Sequence, residues 1–436
     1  MFSKPIKELN IKDIEDLVTQ RKEDENNYLE YKQNIEINDR FKGKILRVIS
    51  GFANAKGGYL IFGIKESREN ESAEIVGIDR YINGQKVEEW LNNILIANLD
   101  ERVNYSFKIV TINVGNTSNE RIILVLYVPE SPKKPHMITF KGKNEYYLRH
   151  NKSVNIATHS EVREMFEYSK NQKDDFNKFL SKRNLIDSED IEFGNNRYSR
   201  QLFTNPDMNS YDQIARILYS FIPIYLDGNR VKTVSEDYLE WLQNNNRGYN
   251  PFTRYELYDI YKKEISLEGI CFHFDYEPNK IMRYFELLDN GFIEFGNSDD
   301  IAIRYNKDGR ILKAIKLTTM INFLVILLQF AEKYYKKINY FDELFFQLSL
   351  INTKDCALGC FSREGKYNPV LEMEEPFEIM NRKPPLCQID NFKINSRFYI
   401  NELDKNKISK IAYCFAEKVS NAFGLLRVNY HLKDFN

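Results

Sequence analysis

The fold class that this 436-residue sequence predicts is α/β, in the loose sense that includes α+β. Along the N-terminal part, segments with apolar residues at every second position alternate with segments whose apolar residues recur every three or four positions. This alternation indicates strands interleaved with helices. Hydrophobic residues make up 42% and charged residues 29%, as in a globular chain with two or three cores. We expect a mixed α/β domain at 1–170, a mixed helical region at 171–310 and an α/β domain at 311–436.

The N-terminal elements follow from these periodicities in chain order. The pattern predicts a helix at 11–22, a strand at 28–33, a helix at 41–56, a strand at 59–64, a helix at 85–97, long strands at 106–114 and 121–128, shorter strands at 137–140 and 145–149, and a helix from about 160. Thr158 and Glu161 have the spacing of a capping box at the start of the last helix.

The remainder of the chain predicts a mixture of helices and strands. We expect helices at 210–220, 235–245, 312–337 and 404–420, and strands at "ELFFQLSLI" and "GLLRVNY". The run "MINFLVILLQFA" contains Asn322 and Gln329 and is shorter than the roughly 20 residues of a membrane span, so we interpret it as a buried helix. The N-terminus lacks the apolar core of a signal peptide, and five scattered cysteines favour free thiols, so we expect a cytoplasmic protein.

The stretch "SGFANAKGGYLIFGIKE", residues 50–66, predicts a helix that ends at two glycines and turns into a strand. Gly57 can adopt the left-handed conformation that ends a helix, and Gly58 lets the chain reverse tightly. The alternative is a phosphate-binding loop. Such a loop follows a strand and precedes a helix, whereas the order here is reversed, and no G-x-x-x-x-G-K-[ST] is present.

Acidic residues gather around the two predicted strands at 28–33 and 59–64. Glu25 precedes the first strand, Glu30 and Lys32 share one of its faces, and Glu66 follows the second strand. If the strands are neighbours, the three acids approach one another and need protons or a divalent cation for neutralisation. Oxygen-only ligands suit Mg²⁺ or Mn²⁺, with Lys32 available to stabilise phosphate charge. The alternative is a solvated charged rim.

Basic residues concentrate between positions 130 and 152, although the net charge of the chain is only −1. This stretch is either a nucleic-acid surface or a hairpin with a solvated basic face and its tyrosines in the core. With two cations of the helix at 41–56, the candidate nucleic-acid contacts are Lys42, Arg47, Lys133, Lys134, His136, Lys141, Lys143, Tyr146, Arg149, His150 and Lys152.

The blocks "ENNYLEYK", "SGFANAKGGYLIFGIKE" and "PHMITFKGKNEYYLRHNKSVNIATHSEV" resemble, in this order, the Schlafen-type, AlbA-like nucleic-acid-binding domain family, formerly classed as divergent AAA domains. The resemblance covers roughly residues 20–168. It implies a metal-dependent endoribonuclease acting on tRNA or other structured RNA, as found in bacterial defence against phage. By position it implies the metal-binding and catalytic set Glu25, Glu30 and Glu66, with Lys32 as a further catalytic residue. Relatives commonly have an aspartate pair where this chain has Lys65 and Glu66.

Two functions from different classes therefore remain open. One is the metal-dependent endoribonuclease, and the other is a non-catalytic DNA- or RNA-binding regulator built on the same domain. The resemblance also implies that two copies of the domain face a shared basic groove. Since this chain has one copy of the "FANAKGG" block, we expect a homodimer.

Overall fold

The computed structural model forms two compact units, residues 1–175 and 176–436. It describes residues 2, 6–20, 23–66, 73–112, 121–183, 185, 214–227, 230–250, 253–259, 261–277, 280–298, 301–307, 310–338, 340–361, 367–368 and 386–425. Helices and strands occur in both units, which confirms the predicted mixed α/β class.

The first unit has its secondary structure in the predicted order. Its helices are α1 (Ile11–Glu15), α2 (Asp39–Asn54), α3 (Val87–Asn98) and α4 (His159–Lys182), the last of which continues into the second unit, and Asp16–Gln20 is a π-helical turn. Its strands are β1 (Leu29–Lys32), β2 (Gly57–Phe62), β3 (Ile64–Lys65), β4 (Glu74–Ile75), β5 (Ile78–Asp79), β6 (Tyr81–Ile82), β7 (Gln85–Lys86), β8 (Ser106–Ile112), β9 (Arg121–Pro129), β10 (Met137–Phe140), β11 (Lys143–His150) and β12 (Ser153–Ile156).

The main sheet of the first unit is covered on both faces. Strand β1 runs parallel to β2, and β9 pairs antiparallel with β2, β5 and β8. Residues of α2 and α3 pack on one face, and residues 6–18 pack on the other. Strands β10, β11 and β12 form a separate antiparallel sheet, from which Ile138 and Tyr147 join the α2 side of the core.

The capping box predicted before α4 is present. The backbone N–H of Thr158 donates to Glu161 at 2.7 Å, and the N–H of Glu161 donates back to the Thr158 hydroxyl at 3.4 Å. The sequence did not predict β12, whose four residues have the burial pattern of an edge strand with little apolar signal.

The second unit is built on a large antiparallel sheet. Its helices are α5 (Glu236–Asn245), α6 (Leu317–Lys337) and α7 (Lys405–Ala422). Its strands are β13 (Arg216–Pro223), β14 (Arg247–Asn250), β15 (Thr253–Glu256), β16 (Lys263–Ile265), β17 (Gly269–Glu277), β18 (Lys280–Leu288), β19 (Ile293–Asn297), β20 (Ala302–Lys307), β21 (Arg310–Ile315), β22 (Glu343–Ile351), β23 (Cys356–Leu358), β24 (Cys360–Phe361), β25 (Tyr367–Asn368) and β26 (Phe392–Tyr399). The seven-stranded sheet has the order β16-β17-β18-β19-β13-β22-β26 and packs against α6 and α7.

One prediction for the second unit is wrong. Residues 216–223 form strand β13 rather than part of a helix at 210–220, because this strand is buried on both faces and its continuous apolar run carries no period. Strand β13 pairs with β22 along its whole length, so the large sheet takes strands from both sides of residue 310. The strand predicted at "GLLRVNY" lies outside the described residues beyond Leu425.

The apolar run at 320–331 lies within α6 and is largely buried, as predicted. Among the residues that the structure describes, the helices include none with both the length and the apolar character of a membrane span.

Candidate active site and nucleic-acid interface

A fold-back of the chain brings Glu25 alongside strand β1. Asn26 forms a backbone bridge to Leu29, and the Asn26 side chain accepts the N–H of Tyr28 at 2.8 Å. The segment before β1 therefore doubles back along the strand. It carries Glu25 to the middle of β1, where Glu25 Oε1 accepts the backbone N–H of Tyr31 at 2.7 Å.

Glu66 reaches the same place from the neighbouring strand. Strands β1 and β2 are parallel, with Lys32 opposite Phe62, so the chain leaving β2 passes the end of β1. The carboxyl group of Glu66 lies close enough to that of Glu25 to raise the pKa of Glu25. Two carboxyl groups can share a hydrogen bond only if one of them holds a proton. The structure thus brings together two of the three predicted acids.

Burial raises the pKa of Glu25 from 4.5 to about 8, and the hydrogen bond to Glu66 and the nearby charge of Glu30 add to this shift. The Tyr31 N–H and the charge of Lys32 act in the opposite direction but are weaker. At neutral pH Glu25 consequently holds a proton, which it can share with Glu66.

Glu30, the third predicted acid, is neutralised differently. It is only 8% exposed, and its two oxygens are held by two cations. Lys32 Nζ lies 2.5 Å from Oε1, and an Arg149 guanidinium nitrogen lies 2.8 Å from Oε2. Lys32 also lies 3.9 Å from Glu25. We call Glu25, Glu30 and Glu66 the acid cluster. Two of its members share a proton, and the third is ion-paired.

The carboxylate oxygens of the acid cluster suit a hard divalent cation. Their arrangement allows two carboxylates, rather than three, to hold it. Among the described residues, no three Asp, Glu, His or Cys side chains are already placed to hold a metal ion. Mg²⁺ usually binds through one or two carboxylates and completes its shell with water and substrate phosphates. Glu25 and Glu66 fit that requirement once their shared proton is lost. Glu30 would first have to release a cation.

Lys65, which the sequence places next to Glu66, is directed elsewhere. Strands β3 and β4 pair Lys65 with Glu74, and the Lys65 ammonium lies 3.3 Å from the Glu74 carboxylate. The departure from the usual aspartate pair therefore leaves the carboxylate of Glu66 beside Glu25.

Strands β10 and β11 with their connecting turn, residues 137–150, form a hairpin whose exposed cations lie near the turn. We call this segment the basic hairpin. Lys141 and Lys143 are exposed, as is Lys152 in the next turn. Lys141 lies 2.7 Å from Asp39, and half-buried Lys42 lies 3.9 Å from the same residue. These ion pairs are weak in water and can exchange for phosphates.

Other predicted contacts are occupied by protein neighbours. His150 is exposed and its Nε2 lies 3.0 Å from the Glu161 carboxylate, and exposed Arg47 lies over the ring of Tyr147 at 5.5 Å. Lys133 and Tyr146 are half-buried, and the Tyr146 ring packs edge-on against Phe166. The neighbouring Tyr147 lies in the core, where its hydroxyl donates to Glu145.

Three of the predicted nucleic-acid contacts are buried, which corrects the sequence-based assignment. Lys134 is 7% exposed and pairs with Glu130 at 2.5 Å. His136 is fully buried beside the Ser131 hydroxyl, and burial lowers the pKa of His136 to about 4, so the ring is neutral at pH 7. Arg149 is 5% exposed and its guanidinium is directed at protein acceptors.

Asn54 is a buried residue of the "FANAKGG" block that sequence analysis missed. Its side-chain nitrogen donates to the carbonyls of His136 and Tyr147 at 3.1 and 2.8 Å, and its oxygen accepts the His136 N–H at 2.7 Å. Asn54 therefore anchors the basic hairpin to the end of α2. An amide on the otherwise apolar face of a predicted helix is the signal that would have identified it.

A cleft of about 340 Å³ opens beside Arg149. Its charged and aromatic lining includes Lys56, Lys134, Arg149, Glu161, Glu164 and Tyr168. The Lys134 ammonium lies 3.9 Å from the centre of the Tyr168 ring. Three basic and two acidic side chains line the cleft, and Lys134 is already paired with Glu130, so the lining identifies no ligand.

Comparison with protein families matches residues 25–158 to the family Schlafen, AlbA_2, which confirms the resemblance for this part of the chain and supports a nucleic-acid-related function. No curated protein matches. Among solved structures, the chain is similar to the N-terminal domain of a RecG-related protein from Nitrosomonas europaea, with 20% identity over 30% of this chain and 84% of that one. The TM-score is 0.20, at which the likeness supports no conclusion about this protein.

Proposed function

We propose that the Schlafen, AlbA_2 domain at residues 25–158 is a divalent-cation-dependent endoribonuclease that binds RNA through the basic hairpin. The observation that carries this proposal is the close approach of the carboxyl groups of Glu25 and Glu66, with Lys32 beside Glu25, in the matched domain. A pair of acids forced together would gain nothing in a site that only binds phosphates. The arrangement is favourable where a cation replaces the shared proton.

The residues of the acid cluster have separable roles in this proposal. A bound Mg²⁺ or Mn²⁺ would be held by Glu25 and Glu66, and it would supply positive charge against phosphate oxygens and a more acidic bound water. Lys32 adds a second positive charge at the same edge, which would stabilise charge that develops on the phosphate. Glu30 keeps the Lys32 ammonium in position through their 2.5 Å contact.

The basic hairpin supports binding of the nucleic-acid backbone. Lys141, Lys143 and Lys152 are exposed on it or in the next turn, and lysines of this kind contact phosphates without reading sequence. Selection of RNA, and of tRNA in particular, follows from the family resemblance. A role in defence against phage belongs to the same expectation and would be tested by plating phage on cells with and without the gene.

The second candidate function is a regulator that binds DNA or RNA without cleaving it. It is favoured by the two ion pairs of Glu30, which leave two of the three acids of the cluster for a metal. It is also favoured by Glu66 at the position where relatives commonly have aspartate. In this case the shared proton would be permanent, and the acid cluster would serve the fold.

A cleavage assay distinguishes the two functions. Purified protein is incubated with total tRNA and with duplex DNA, each with Mg²⁺, Mn²⁺ or EDTA. We expect RNA cleavage with either cation and none with EDTA, lost in Glu25→Gln and Glu66→Gln and retained in the exposed control Glu89→Gln. Binding without cleavage under every condition would favour the regulator. Cleavage by a variant that carries both Glu25→Gln and Glu66→Gln would show that the site lies elsewhere.

We also propose that the chain acts as a homodimer, so that two basic hairpins line one groove. The support is that each chain carries a single copy of the matched domain. A two-fold arrangement is the commonest assembly of soluble proteins. Light scattering at tens of micromolar should give about twice the chain mass of 51.8 kDa. An active species at the chain mass itself would exclude a dimer as the functional form.

A further inference from the structure

Arg149 links the basic hairpin to the turn that carries Glu25. Its guanidinium donates to the Asn26 carbonyl from Nε at 3.0 Å and from a terminal nitrogen at 2.7 Å. The same terminal nitrogen donates to the Leu29 carbonyl at 3.0 Å, and the other one donates to the Glu30 carboxylate at 2.8 Å. One side chain thus holds both ends of the fold-back and one acid of the cluster.

An aromatic ring packs against the guanidinium of Arg149. The Arg149 carbon Cζ lies 4.7 Å from the centre of the Phe52 ring. That ring occupies the space where a side chain at residue 58 would begin, because a Cβ added to Gly58 would come within 2.2 Å of it. The "FANAKGG" block therefore supplies both the ring of Phe52 and Gly58, whose lack of a side chain leaves room for that ring.

The backbone of Arg149 is fixed as well. Arg149 lies opposite Val154 in the pairing of β11 with β12. Helix α2 passes so close to these strands that a Cβ on Gly51 would come within 2.9 Å of Val154. Both the backbone of Arg149 and one face of its guanidinium are thus held by residues outside the fold-back.

We propose that Arg149 is a positioning residue for the acid cluster, which holds the fold-back and Glu30 so that Glu25 meets Glu66. The catalytic part of this inference rests on the proposed function, whereas the structural part rests on the contacts alone. Arginine suits the role because its fork donates to three acceptors at once, whereas lysine would present a single ammonium. The basic hairpin then offers its exposed lysines to RNA and, separately, arranges the acids through buried Arg149.

The structural consequence can be measured without any cleavage. In the metal-free protein, the Tyr31 N–H donates to Glu25, so its hydrogen exchange reports whether Glu25 is held in place. We expect Arg149→Met to speed exchange of the Tyr31 amide by at least about tenfold, because local opening exposes it. Arg149→Lys should give an intermediate rate, since the charge remains and most of the donors are lost.

The matched control is Arg183 in the second unit. It is also buried, it pairs with Glu286 at 2.7 Å and its guanidinium lies 4.9 Å from the centre of the Phe292 ring. Arg183→Met should lower thermal stability and leave Tyr31 exchange unchanged. Unchanged exchange in Arg149→Met, or equal acceleration in both variants, would overturn the positioning role.

The catalytic consequence is a split between kcat and affinity. Arg149→Met should lower kcat by about tenfold or more and leave the dissociation constant for RNA within about twofold, because Arg149 is buried away from phosphates. Arg149→Lys should recover part of kcat, and it provides the test if Arg149→Met does not fold. Weaker RNA binding with a flatter salt dependence would instead identify Arg149 as a phosphate contact and overturn the proposal. A wild-type protein that does not cleave RNA would remove the proposed function, while Tyr31 exchange would still decide the positioning role.

Discussion

Half-buried Glu25 in the first unit differs from the buried acids of the second unit in what surrounds its carboxyl group. In the second unit, Glu286 faces Arg183, and fully buried Glu294 accepts hydrogen bonds from the hydroxyls of Ser220 and Tyr284, both at 2.6 Å. In the first unit, Glu25 meets another carboxyl group. Donors around a carboxylate stabilise a fold, whereas a second carboxyl group demands a proton or a cation. The first unit is therefore the one in which a carboxyl group needs a proton or a cation as its partner.

Neutralising one acid in each unit should have the largest and most different effects. Glu25→Gln should lower RNA cleavage by at least about 100-fold, because it removes a cation ligand, with RNA binding unchanged or tighter. Glu286→Gln should lower the free energy of unfolding by about 3–5 kcal/mol, because it leaves the buried Arg183 without its counter-charge. The measurements are cleavage rate and urea denaturation for both variants. If folded Glu286→Gln protein also lost cleavage, the acids of the two units would not differ in function.

Both units use a glycine to make room for an aromatic ring, which allows a matched steric test. A Cβ on Gly58 would come within 2.2 Å of the Phe52 ring, and one on Gly296 within 2.3 Å of the Tyr284 ring. Each glycine-to-alanine variant should cost about 1–3 kcal/mol of unfolding free energy through overpacking. Only Gly58→Ala should also reduce cleavage, since Phe52 lies under Arg149. Equal activity of the two variants would contradict the proposed support of the acid cluster.

The shared proton gives the first unit a distinctive pH dependence. The pKa of Glu25 is about 8 in the folded protein against an ordinary value of 4.5, so between these values the folded state holds a proton that the unfolded chain has released. The free energy of unfolding of the metal-free protein should therefore fall as pH rises through this window, by roughly 2 kcal/mol after allowance for solvent screening of a half-buried group. Chemical denaturation across the window should show this slope in wild type and its loss in Glu25→Gln. A wild-type profile as flat as that of the variant would contradict the raised pKa.

The smallest expected effects are those of the exposed lysines. Lys143→Met and Lys152→Met should each weaken RNA binding several-fold and flatten the slope of log K against log salt by about 0.7–0.9 for each lost phosphate contact. Lys12→Met, an exposed lysine on α1, serves as the control. If all three variants behave alike, the basic hairpin is not the docking surface.

The sequence predicted most of the first unit because its elements have clear local periods. The approach of Glu25 and Glu66 was also predictable, since it needs only two neighbouring strands. The ion pair of Glu30 with Arg149 was not, because the two residues are 119 positions apart and the burial of a charged side chain depends on its tertiary partner. For the same reason Lys134 and His136 gave the local signal of a basic surface. Strand β13 was missed because a strand buried on both faces has no alternation.

Proton release on cation binding shows whether a cation takes the place of the proton at Glu25 and Glu66. Calorimetric titration with Mn²⁺ near pH 7, in two buffers of different ionisation enthalpy, counts the protons that leave with each bound ion. If the cation replaces the proton between Glu25 and Glu66, wild type should release about one proton per Mn²⁺, and Glu25→Gln should bind weakly and release none. Tight Mn²⁺ binding without proton release, or binding that survives in Glu25→Gln, would contradict the assignment of this carboxyl pair as the cation site.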